Sequence, residues 1–335
     1  MRHEACGILF FSLAVFAAGA CTQKPVASPK AKTLRLAVIP QGTTHEFWKS
    51  IHAGAVKAAE ELTAAGTPVE LIWKGPIREG DREQQIQVVE GFTTQGVSGI
   101  VLCPFDSKAL VRPVEEAAAQ GIPTVVVDSG LESEKVVSFV ATDNRKGGEL
   151  AAQEMGRILG GKGKVLMLRY QEGSASTMLR EEGFLARMKE AWPKIQVLSS
   201  DQYAGATRDT AKRTSENLLN RYASDLSGIF TPNESSTGGM LLALQDIGKA
   251  GKVTFLGFDS DPVFIEAMRA KQLQGFVVQN PFRMGYLSIK TMVDHLSGRP
   301  IEKRIDTGVG LVSPENIDAA EVQELLHPPI DKYLR

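Results

Sequence analysis

Planar polar side chains follow several apolar runs of the sequence, and the chemistry they offer is hydrogen bonding. Asp128, Asn233 and Asp259 come shortly after runs rich in β-branched or aromatic residues, and Gln279 closes another such run. Carboxylates and amides of this kind engage adjacent hydroxyl groups of a small ligand. Each residue taken alone is also typical of a helix N-cap or a turn. The pattern as a whole draws on both halves of the chain and predicts a site for a hydroxyl-rich molecule.

Two adjacent aromatic residues, Phe47 and Trp48, lie at the first strand–helix junction, where Gln41 follows the strand. Thr43 and Glu46 have the spacing of a capping box, which predicts Thr43 as the helix N-cap. Phe47 and Trp48 then fall in the first helical turn, where a core position and a ligand contact are both open interpretations. Aromatic faces suit the CH-rich face of a sugar, so the junction favours a binding role.

Catalytic and metal-binding patterns are incomplete in this sequence. His45 and His52 lie seven residues apart, but no further ligand completes a metal set. The segment 156–162 (GRILGGK) imitates a phosphate loop, yet Gly163 replaces the required Ser or Thr. Gly173–Ser176 lacks the second glycine of a nucleophile elbow. The sequence therefore predicts a protein that is not an enzyme and that uses no cofactor or metal.

Ten short apolar runs predict β-strands. The runs are nearly continuous instead of alternating, which is typical of strands covered on both faces, as in a parallel sheet. They are Leu34–Ile39, Pro68–Trp73, Gly99–Cys103, Pro123–Val127, Val136–Ala141, Lys164–Arg169, Ile195–Ser199, Gly228–Thr231, Val253–Gly257 and Gly275–Gln279.

Amphipathic stretches of helical length separate these runs. They are His45–Ala64, Arg82–Gln95, Ala109–Gln120, Arg145–Leu159, Met178–Ala191, Ala206–Tyr222, Ser236–Gly248 and Pro281–Leu296. The alternation predicts an α/β protein with doubly wound sheets, and ten strands suit two domains better than one. The chain is expected to cross between the domains near Val136–Asn144. After Pro300 the pattern predicts short extended pieces rather than helix, and further crossings that form a hinge.

The first 32 residues are predicted to be an export signal and a tether. The apolar run Gly7–Ala20 is too short to span a bilayer and has the length of a signal-peptide core. It ends in Ala-Gly-Ala before Cys21, which resembles a bacterial lipobox. Residues 1–21 are therefore predicted to be a lipoprotein signal peptide with Cys21 as the lipidated residue; simple cleavage that leaves Cys21 unmodified stays open. The polar residues 22–32 predict a flexible linker.

The composition argues against several classes of partner. The 335 residues include 38 Lys plus Arg and 39 Asp plus Glu, so the formal net charge is -1. Nucleic-acid binding requires a basic excess or a basic stripe, so no nucleic-acid partner is predicted. Hydrophobic residues make up 43% of the chain, as expected for a folded globular protein. Three cysteines are too few for a disulfide framework.

Eight segments in order resemble the periplasmic-binding proteins of the ribose-binding type, the solute receptors of bacterial sugar ABC transporters. The resemblance extends from Thr33 to Ile317. The segments are LAVIP near the start, FWKSIHAGA (Phe47–Ala55), GIPTVVVD (Gly121–Asp128), VVSFVATDNRKGGELAA (Val136–Ala152), REEGF (Arg180–Phe184), TPNESSTGGMLLALQ (Thr231–Gln245), FLGFDSDP (Phe255–Pro262) and GFVVQNPFRMGYLSI (Gly275–Ile289).

This resemblance implies the type I fold of these proteins, an α/β fold of two doubly wound Rossmann-like lobes joined by a three-crossover hinge. Residues 33–141 and 280–307 would form the N-terminal lobe, and residues 142–279 and 308–335 the C-terminal lobe. Hinge closure would capture a monosaccharide or a related polyol for delivery to a membrane permease. The expected molecule is a lipid-anchored monomer in the periplasm or at the cell surface.

The resemblance also implies a set of ligand-binding residues. Phe47, Trp48, Asp128, Asn233, Asp259 and Gln279 match expected contacts, and Gln41 joins them by its place after the first strand. His45 stands where ribose binders have an Asn. Ser129 and Met178 stand where arginines are expected, and Arg180 matches an arginine of structural role. The second-lobe aromatic aligns near Ala206, with Tyr203 as a replacement. Two missing arginines remove bidentate donors to sugar oxygens, which argues against D-ribose and leaves other pentoses, hexoses and polyols open.

Other outputs of the same fold remain to be weighed. A receptor for a signalling molecule, or a partner of a chemotaxis receptor or sensor kinase, would have the same sequence features. A repressor-type effector domain would need an N-terminal DNA-binding module, for which the export signal and the early first strand leave no room. An enzyme on this scaffold is disfavoured because no nucleophile, metal set or cofactor loop is present in the sequence.

Overall fold

The structure is a computed structural model that describes residues 1, 3, 7 and 32–334 of the chain. Cys21 and all but three residues of the predicted signal peptide lie outside the described residues, as does the linker apart from Lys32. Within the described part, no helix is long and apolar enough to cross a bilayer.

Strands and helices alternate along almost the whole described chain. The strands are β1 (Leu34–Ile39), β2 (Val69–Trp73), β3 (Gly99–Leu102), β4 (Thr124–Val127), β5 (Ser138–Ala141), β6 (Gly163–Met167), β7 (Ile195–Ser199), β8 (Gly228–Phe230), β9 (Thr254–Phe258), β10 (Gly275–Val278), β11 (Arg304–Asp306) and β12 (Gly310–Val312). The helices are α1 (Glu46–Ala64), α2 (Arg82–Thr94), α3 (Val111–Ala119), α4 (Asn144–Ile158), α5 (Ala175–Ala191), α6 (Arg208–Tyr222), α7 (Glu234–Asp246), α8 (Pro262–Arg269), α9 (Pro281–Leu296), α10 (Ala320–Leu326) and α11 (Ile330–Tyr333).

The strands form two six-stranded sheets of equivalent topology. The first sheet has the order β11-β5-β4-β3-β1-β2 and the second has the order β12-β10-β9-β8-β6-β7. All pairings are parallel except that of β10 with β12, which is antiparallel. The reversal of strand order beside the first strand of each sheet is the doubly wound arrangement, which confirms the predicted fold class.

Each sheet is covered by helices on both faces, which explains the continuous apolar runs. In the first lobe, α1 and α9 cover one face around Ile51 and Met292, while α2 and α3 cover the other around Phe92. In the second lobe, α4 and α5 pack around Phe184, and α6, α7 and α8 pack around Leu244. Two cores therefore hold each sheet rigid, so that the carboxyl ends of its strands present side chains at defined positions.

Glycines allow two helix pairs to approach closely, one pair in each lobe. A Cβ at Gly54 of α1 would lie 1.9 Å from the carbonyl oxygen of Phe282 on α9. A Cβ at Gly148 of α4 would likewise lie 1.9 Å from the carbonyl oxygen of Arg180 on α5. Because α1 carries Phe47 and Trp48 and α5 carries Arg180, these contacts fix the elements that bear candidate site residues.

The chain crosses between the sheets three times, after β5, after β10 and after β11. The first crossing runs through Thr142, and the third through Thr307 and Gly308, whose carbonyl oxygen accepts a hydrogen bond from Thr142 Oγ1 at 3.1 Å. The first and third crossings therefore lie side by side, as expected of a hinge. We propose that the chain passes from one lobe to the other between residues 141 and 142, 279 and 280, and 307 and 308.

The C-terminal tail differs from the prediction. Helices α10 and α11 follow β12, whereas the pattern after Pro300 predicted extended pieces rather than helix, and α8 was not predicted at all. Helix α10 packs into the second lobe through Val322 and Leu326. Helix α11 instead packs on α1, and the Tyr333 ring lies 5.9 Å from that of Phe282 in the first lobe. The last residues therefore contact the first lobe, although 308–335 was assigned to the C-terminal lobe. Short helices of this kind are stabilised by tertiary burial rather than by a long periodic pattern.

The first helix begins later than predicted. His45, and not Thr43, is the N-cap of α1; its backbone is extended and its side chain makes no capping hydrogen bond. Thr43 is exposed, and the Glu46 carboxylate pairs with Lys49 at 2.7 Å instead of closing a capping box. The His45 side chain is turned towards Glu79, so the helix terminus carries a side chain of the candidate site in place of a cap.

Candidate functional site

A cavity lies between the two lobes, at the carboxyl ends of both sheets. It holds about 350 Å³ of space free of protein atoms, part of which is open to solvent. It is lined by His45, Phe47, Trp48, Glu79, Asp128, Ser176, Thr177, Arg180, Asn233, Glu234, Asp259 and Gln279. The lining combines aromatic faces with a high density of buried polar groups.

Two aspartates occupy equivalent places in the two lobes. Asp128 follows β4 and Asp259 follows β9, which are the corresponding strands of the two sheets. Both residues are buried and adopt left-handed backbone conformations, with φ of 64° and 69°. Asp adopts this region more readily than most residues, but the conformation still costs free energy. Strained backbone conformations of this kind are common at functional sites. The topology thus turns one carboxylate from each lobe into the cavity.

Arg180 of α5 stands between these aspartates. Its guanidinium nitrogens lie 3.8 Å from Asp128 Oδ1 and 3.8 Å from Asp259 Oδ2. Its hydrogen bonds go elsewhere: Nε donates to Asn144 Oδ1 and one terminal nitrogen donates to the carbonyl oxygen of Pro232, both at 2.8 Å. Burial raises the pKa of Asp128 to about 7, against the opposing effect of Arg180. Burial likewise raises the pKa of Asp259.

Glu79, in the loop between β2 and α2, is contacted by three polar side chains. Its Oε2 lies 2.6 Å from His45 Nδ1 and accepts a hydrogen bond from Trp48 Nε1 at 2.8 Å. Its Oε1 accepts a hydrogen bond from the Tyr170 hydroxyl at 2.5 Å. Glu79 belongs to the first lobe and Tyr170 follows β6 in the second, so this bond joins the lobes.

The contacts of Glu79 set its ionisation and that of His45. Burial by itself would lower the pKa of His45, but the adjacent Glu79 carboxylate outweighs it and raises the pKa to about 9. Burial would raise the pKa of Glu79, but His45, Trp48 and Tyr170 stabilise the anion and hold the pKa below its usual value. The pair is therefore an imidazolium and a carboxylate at neutral pH.

Glu234, the first residue of α7, makes a second connection across the cavity. Its Oε2 accepts a hydrogen bond from the backbone N–H of Phe47 at 3.2 Å, and its own N–H donates to Asp259 Oδ2 at 3.1 Å. Arg208 lies 3.9 Å away but is engaged by Asp261 at 2.7 Å. Burial raises the pKa of Glu234 to about 8, with partial opposition from His45.

Two acceptor atoms facing the cavity have no hydrogen-bond partner among the described residues. They are Asp128 Oδ1 and Gln279 Oε1. The side-chain nitrogen of Gln279 donates to Asp259 Oδ1 at 2.7 Å, which orients its oxygen. A buried acceptor without a donor costs about 1–3 kcal/mol, so the cavity is suited to a ligand that brings donors.

Seven of the ten residues predicted for ligand binding line this cavity, and three do not. The seven are His45, Phe47, Trp48, Asp128, Asn233, Asp259 and Gln279. Gln41 is buried and donates to the carbonyl oxygen of Pro104 at 3.0 Å, which ties the ends of β1 and β3 together. Ser129 Oγ accepts the Ser176 N–H at 3.2 Å, a bond between the lobes. Met178 lies on α5, partly buried and outside the lining.

Sequence reasoning missed several lining residues. Glu79 lies in the middle of the loop between β2 and α2 and not directly after the strand, so its position in the sequence gives no signal for the site. Glu234 adjoins Asn233 and was not distinguished from it, and Arg180 was expected to be structural. Tyr203, expected as a replacement aromatic, is 37% exposed and lies over Arg169 instead of lining the cavity.

The walls of the cavity combine an aromatic side with a polar side. In the described part of the chain, no group of three His, Cys, Asp or Glu side chains is placed to hold a metal. The aromatic pair Phe47 and Trp48 meets edge to face, with ring centroids 4.9 Å apart, on one wall of the cavity. Carboxylate, amide and guanidinium groups form the remaining walls, which is a typical lining for a hydroxyl-rich guest.

The chain is similar in sequence and in fold to known binding proteins. A family model described as a periplasmic binding protein domain matches residues 36–300. The chain is 29% identical over 309 residues to the ribose import binding protein of Bacillus subtilis, covering 90% of this chain and 97% of the relative. A solute-binding protein from Agrobacterium radiobacter in complex with D-arabinose has a TM-score of 0.82 and 31% identity, over 88% of this chain and 99% of that one. Another from Agrobacterium vitis, with bound D-fucose, has a TM-score of 0.82 and 33% identity, over 88% and 100%.

Proposed function

Because the chain belongs to the family of periplasmic binding protein domains, we propose that it is the substrate-binding lipoprotein of a sugar ABC transporter. It captures a monosaccharide or related polyol between its lobes and delivers it to a membrane permease. The family and the relatives above are binding proteins, and the chain is accordingly a binding protein and not an enzyme. The ribose, D-arabinose and D-fucose named for those relatives support a sugar-sized ligand.

The observation that carries this proposal is the pair of partnerless acceptors in the cavity between the lobes. Asp128 Oδ1 and Gln279 Oε1 are buried away from water and lack donors. Sugar hydroxyls are donors as well as acceptors, so a bound sugar would satisfy both atoms. A competing ligand without a hydroxyl at the right place would leave these atoms unpaired, which is the basis of selectivity.

The proposed ligand contacts are the seven predicted residues that line the cavity, joined by Arg180. Phe47 and Trp48 supply the apolar wall for the CH-rich face of the ring. Asp128, Asn233, Asp259 and Gln279 engage hydroxyl groups. His45 uses Nδ1 for Glu79, so its other ring nitrogen, Nε2, is the donor that remains for the ligand.

Closure of the lobes is the proposed mechanism of capture. Four hydrogen bonds join the lobes near the cavity, and each pairs a residue of the first lobe with one of the second. They are Tyr170 to Glu79, Phe47 N–H to Glu234, Ser176 N–H to Ser129, and Ser107 N–H to the carbonyl oxygen of Gly173. Opening about the three crossings would break all four and admit water. A ligand that touches both lobes shifts the equilibrium towards the closed form.

The proposed setting is the periplasm or the cell surface, with the protein held at the membrane by a lipid on Cys21. The working unit is a monomer whose partners are the sugar and a transporter permease. No nucleic acid, metal or cofactor takes part in this function.

A thermal-shift screen of monosaccharides and polyols, followed by calorimetry, tests the proposal. A ligand that binds only the folded protein raises the melting temperature. Asp259→Ala is expected to abolish or severely weaken binding of the best ligand while the protein stays folded. Asp246→Asn, on the exposed side of α7 where Asp246 pairs with Lys212 at 2.7 Å, is the matched control. An Asp259→Ala protein with the affinity of the control would refute this site.

A further inference from the structure

The charges of the side chains that line the cavity indicate which class of ligand it prefers. This inference rests on the proposed function. Four carboxyl groups line the cavity: Glu79, Asp128, Glu234 and Asp259. Among the described residues that line it, His45 and Arg180 are the two cationic groups. With every group ionised, the lining would carry two negative charges more than positive ones. A buried excess of this kind is unfavourable unless protons or a bound cation reduce it.

The two cationic groups are already committed. His45 pairs with Glu79 at 2.6 Å and neutralises that carboxylate. Arg180 donates to Asn144 and to the carbonyl oxygen of Pro232, and it lies 4.0 Å over the Phe258 ring. It is thus held at 3.8 Å from both aspartates without bonding either directly. Asp128, Asp259 and Glu234 together are therefore left under-compensated.

Two unpartnered acceptor atoms of the cavity point independently to a ligand that brings hydrogen-bond donors. Both Asp128 Oδ1 and Gln279 Oε1 are acceptors, in residues with only 4% of their surface exposed. An ammonium group brings up to three donors and a full positive charge, whereas a hydroxyl brings one donor and no charge. A charged donor also forms hydrogen bonds roughly twice as strong as a neutral one.

We propose that the preferred ligand is a hydroxyl-rich molecule that carries a protonated amine, such as an amino sugar or an aminocyclitol. Its ammonium group donates to Asp128 Oδ1, and its hydroxyl groups engage Asn233, Asp259 and Gln279. The aromatic wall of Phe47 and Trp48 receives the apolar face of the ring. A cationic ligand supplies the positive charge that the lining lacks.

The protonation of the empty cavity agrees with this assignment. The groups that face Asp128 are Arg180, Asp259 and Glu79, and with burial they leave its pKa at about 7. The cavity without ligand thus retains protons on its carboxyl groups to limit the negative charge. An incoming ammonium group would displace them.

Glu234 also retains a proton in the cavity without ligand. The groups that face it are His45, Asp261, Asp259 and Arg208, and burial dominates to raise its pKa to about 8. Binding of a cation is therefore expected to release protons near pH 6.5, where both Asp128 and Glu234 are largely protonated. A neutral sugar would leave those protons in place.

Calorimetry with matched pairs tests the inference. The probes are D-galactose and D-galactosamine, D-glucose and D-glucosamine, and the N-acetyl form of each amine. At about pH 6.5 the amine of at least one pair is expected to bind at least about tenfold more tightly than its hydroxyl parent, and N-acetylation is expected to remove the gain. Repeating the titration in buffers of different ionisation enthalpy should show proton release for the amine alone.

Two variants test whether the preference for the amine arises from the carboxyl groups of the cavity. Asp128→Asn keeps the shape but not the charge, so it should reduce the preference for the amine by about tenfold, while Asp246→Asn should not change it. If Asp128→Asn does not fold, Glu234→Gln and the proton release of the unmodified protein provide the same test. Tight binding of the neutral sugars with no gain for the amines would overturn the inference and leave the proposed function intact. If neither class binds while the thermal-shift screen identifies another neutral sugar or polyol, the inference is wrong and the proposed function stands; if that screen also finds no ligand, both are wrong.

Discussion

The hydrogen bond from Tyr170 to Glu79 is expected to stabilise the closed form selectively. Glu79 is in the first lobe and Tyr170 in the second, and the two oxygens lie 2.5 Å apart. Tyr170 is not among the residues that line the cavity. Tyr170→Phe removes the hydroxyl and keeps the ring, so the change acts on lobe closure rather than on contact with the ligand.

The expected loss of binding free energy in Tyr170→Phe depends on the charge of Glu79, which accepts the hydrogen bond. Glu79 has a lowered pKa and is ionised at neutral pH, and burial raises the pKa of Tyr170, which stays protonated as a donor. A hydrogen bond to a charged group contributes about 1.5–3 kcal/mol. Because the open form lacks this bond, Tyr170→Phe destabilises only the closed form. The binding free energy becomes less favourable by the same amount. Affinity should fall by about 10- to 150-fold.

The measurement is calorimetry for affinity and stopped-flow fluorescence for rates, using the sugar with the largest thermal shift. The dissociation rate should rise while the association rate changes little, since the bond forms only after encounter. Tyr286→Phe is the matched control. The Tyr286 hydroxyl donates to Glu61 Oε2 at 2.7 Å, but α9 and α1 both belong to the first lobe, so closure does not involve this bond. Equal dissociation rates for the two variants would refute the reasoning.

Two further predictions concern stability. The pKa of His45 is raised to about 9, so its pairing with Glu79 stabilises the ligand-free protein fully below about pH 6.5 and is lost as the pH rises through 9. The free energy of urea unfolding should therefore fall by up to about 3 kcal/mol over that window from this group alone, and His45→Asn should make the fall shallower; an unchanged slope would contradict the pairing. Gly54→Ala should lower stability by about 1–3 kcal/mol or more, because its Cβ would lie 1.9 Å from the Phe282 carbonyl oxygen. Gly91→Ala, in a helix interior with nothing within 4 Å of the new Cβ, should instead stabilise by about 0.5–1 kcal/mol, and equal melting temperatures for the two variants would contradict the close packing of α1 on α9.

Much of the fold could be predicted from local patterns. All ten predicted strands and eight predicted helices are present, with bounds that differ by a few residues. Helix α8 was missed because it is short, and α10 and α11 were missed because burial against the second and the first lobe, not periodicity, holds them. Thr43 was wrongly predicted as an N-cap because the spacing of a capping box does not reveal that the neighbouring His45 turns towards Glu79.

The candidate site, too, could be predicted only in part from the sequence. Asp128, Asn233, Asp259 and Gln279 could be predicted to reach the cavity, because a residue that follows a buried parallel strand emerges at the carboxyl edge of the sheet. Gln41 was selected by the same rule, yet its amide bonds the Pro104 carbonyl oxygen and is turned away from the cavity. The rule gives the edge at which a side chain emerges, but not the direction in which it points.

The sequence by itself determined the α/β class, the two sheets and the polar residues at their edges, since strand burial and helix amphipathicity are local properties of the chain. Only the tertiary structure decided that Glu79 meets Tyr170 across the lobes, that Arg180 stands between two aspartates, and that four carboxyl groups share one cavity. Those contacts join residues separated by 91 positions in the case of Glu79 and Tyr170. Their geometry depends on how two lobes close on each other, and no local pattern encodes it.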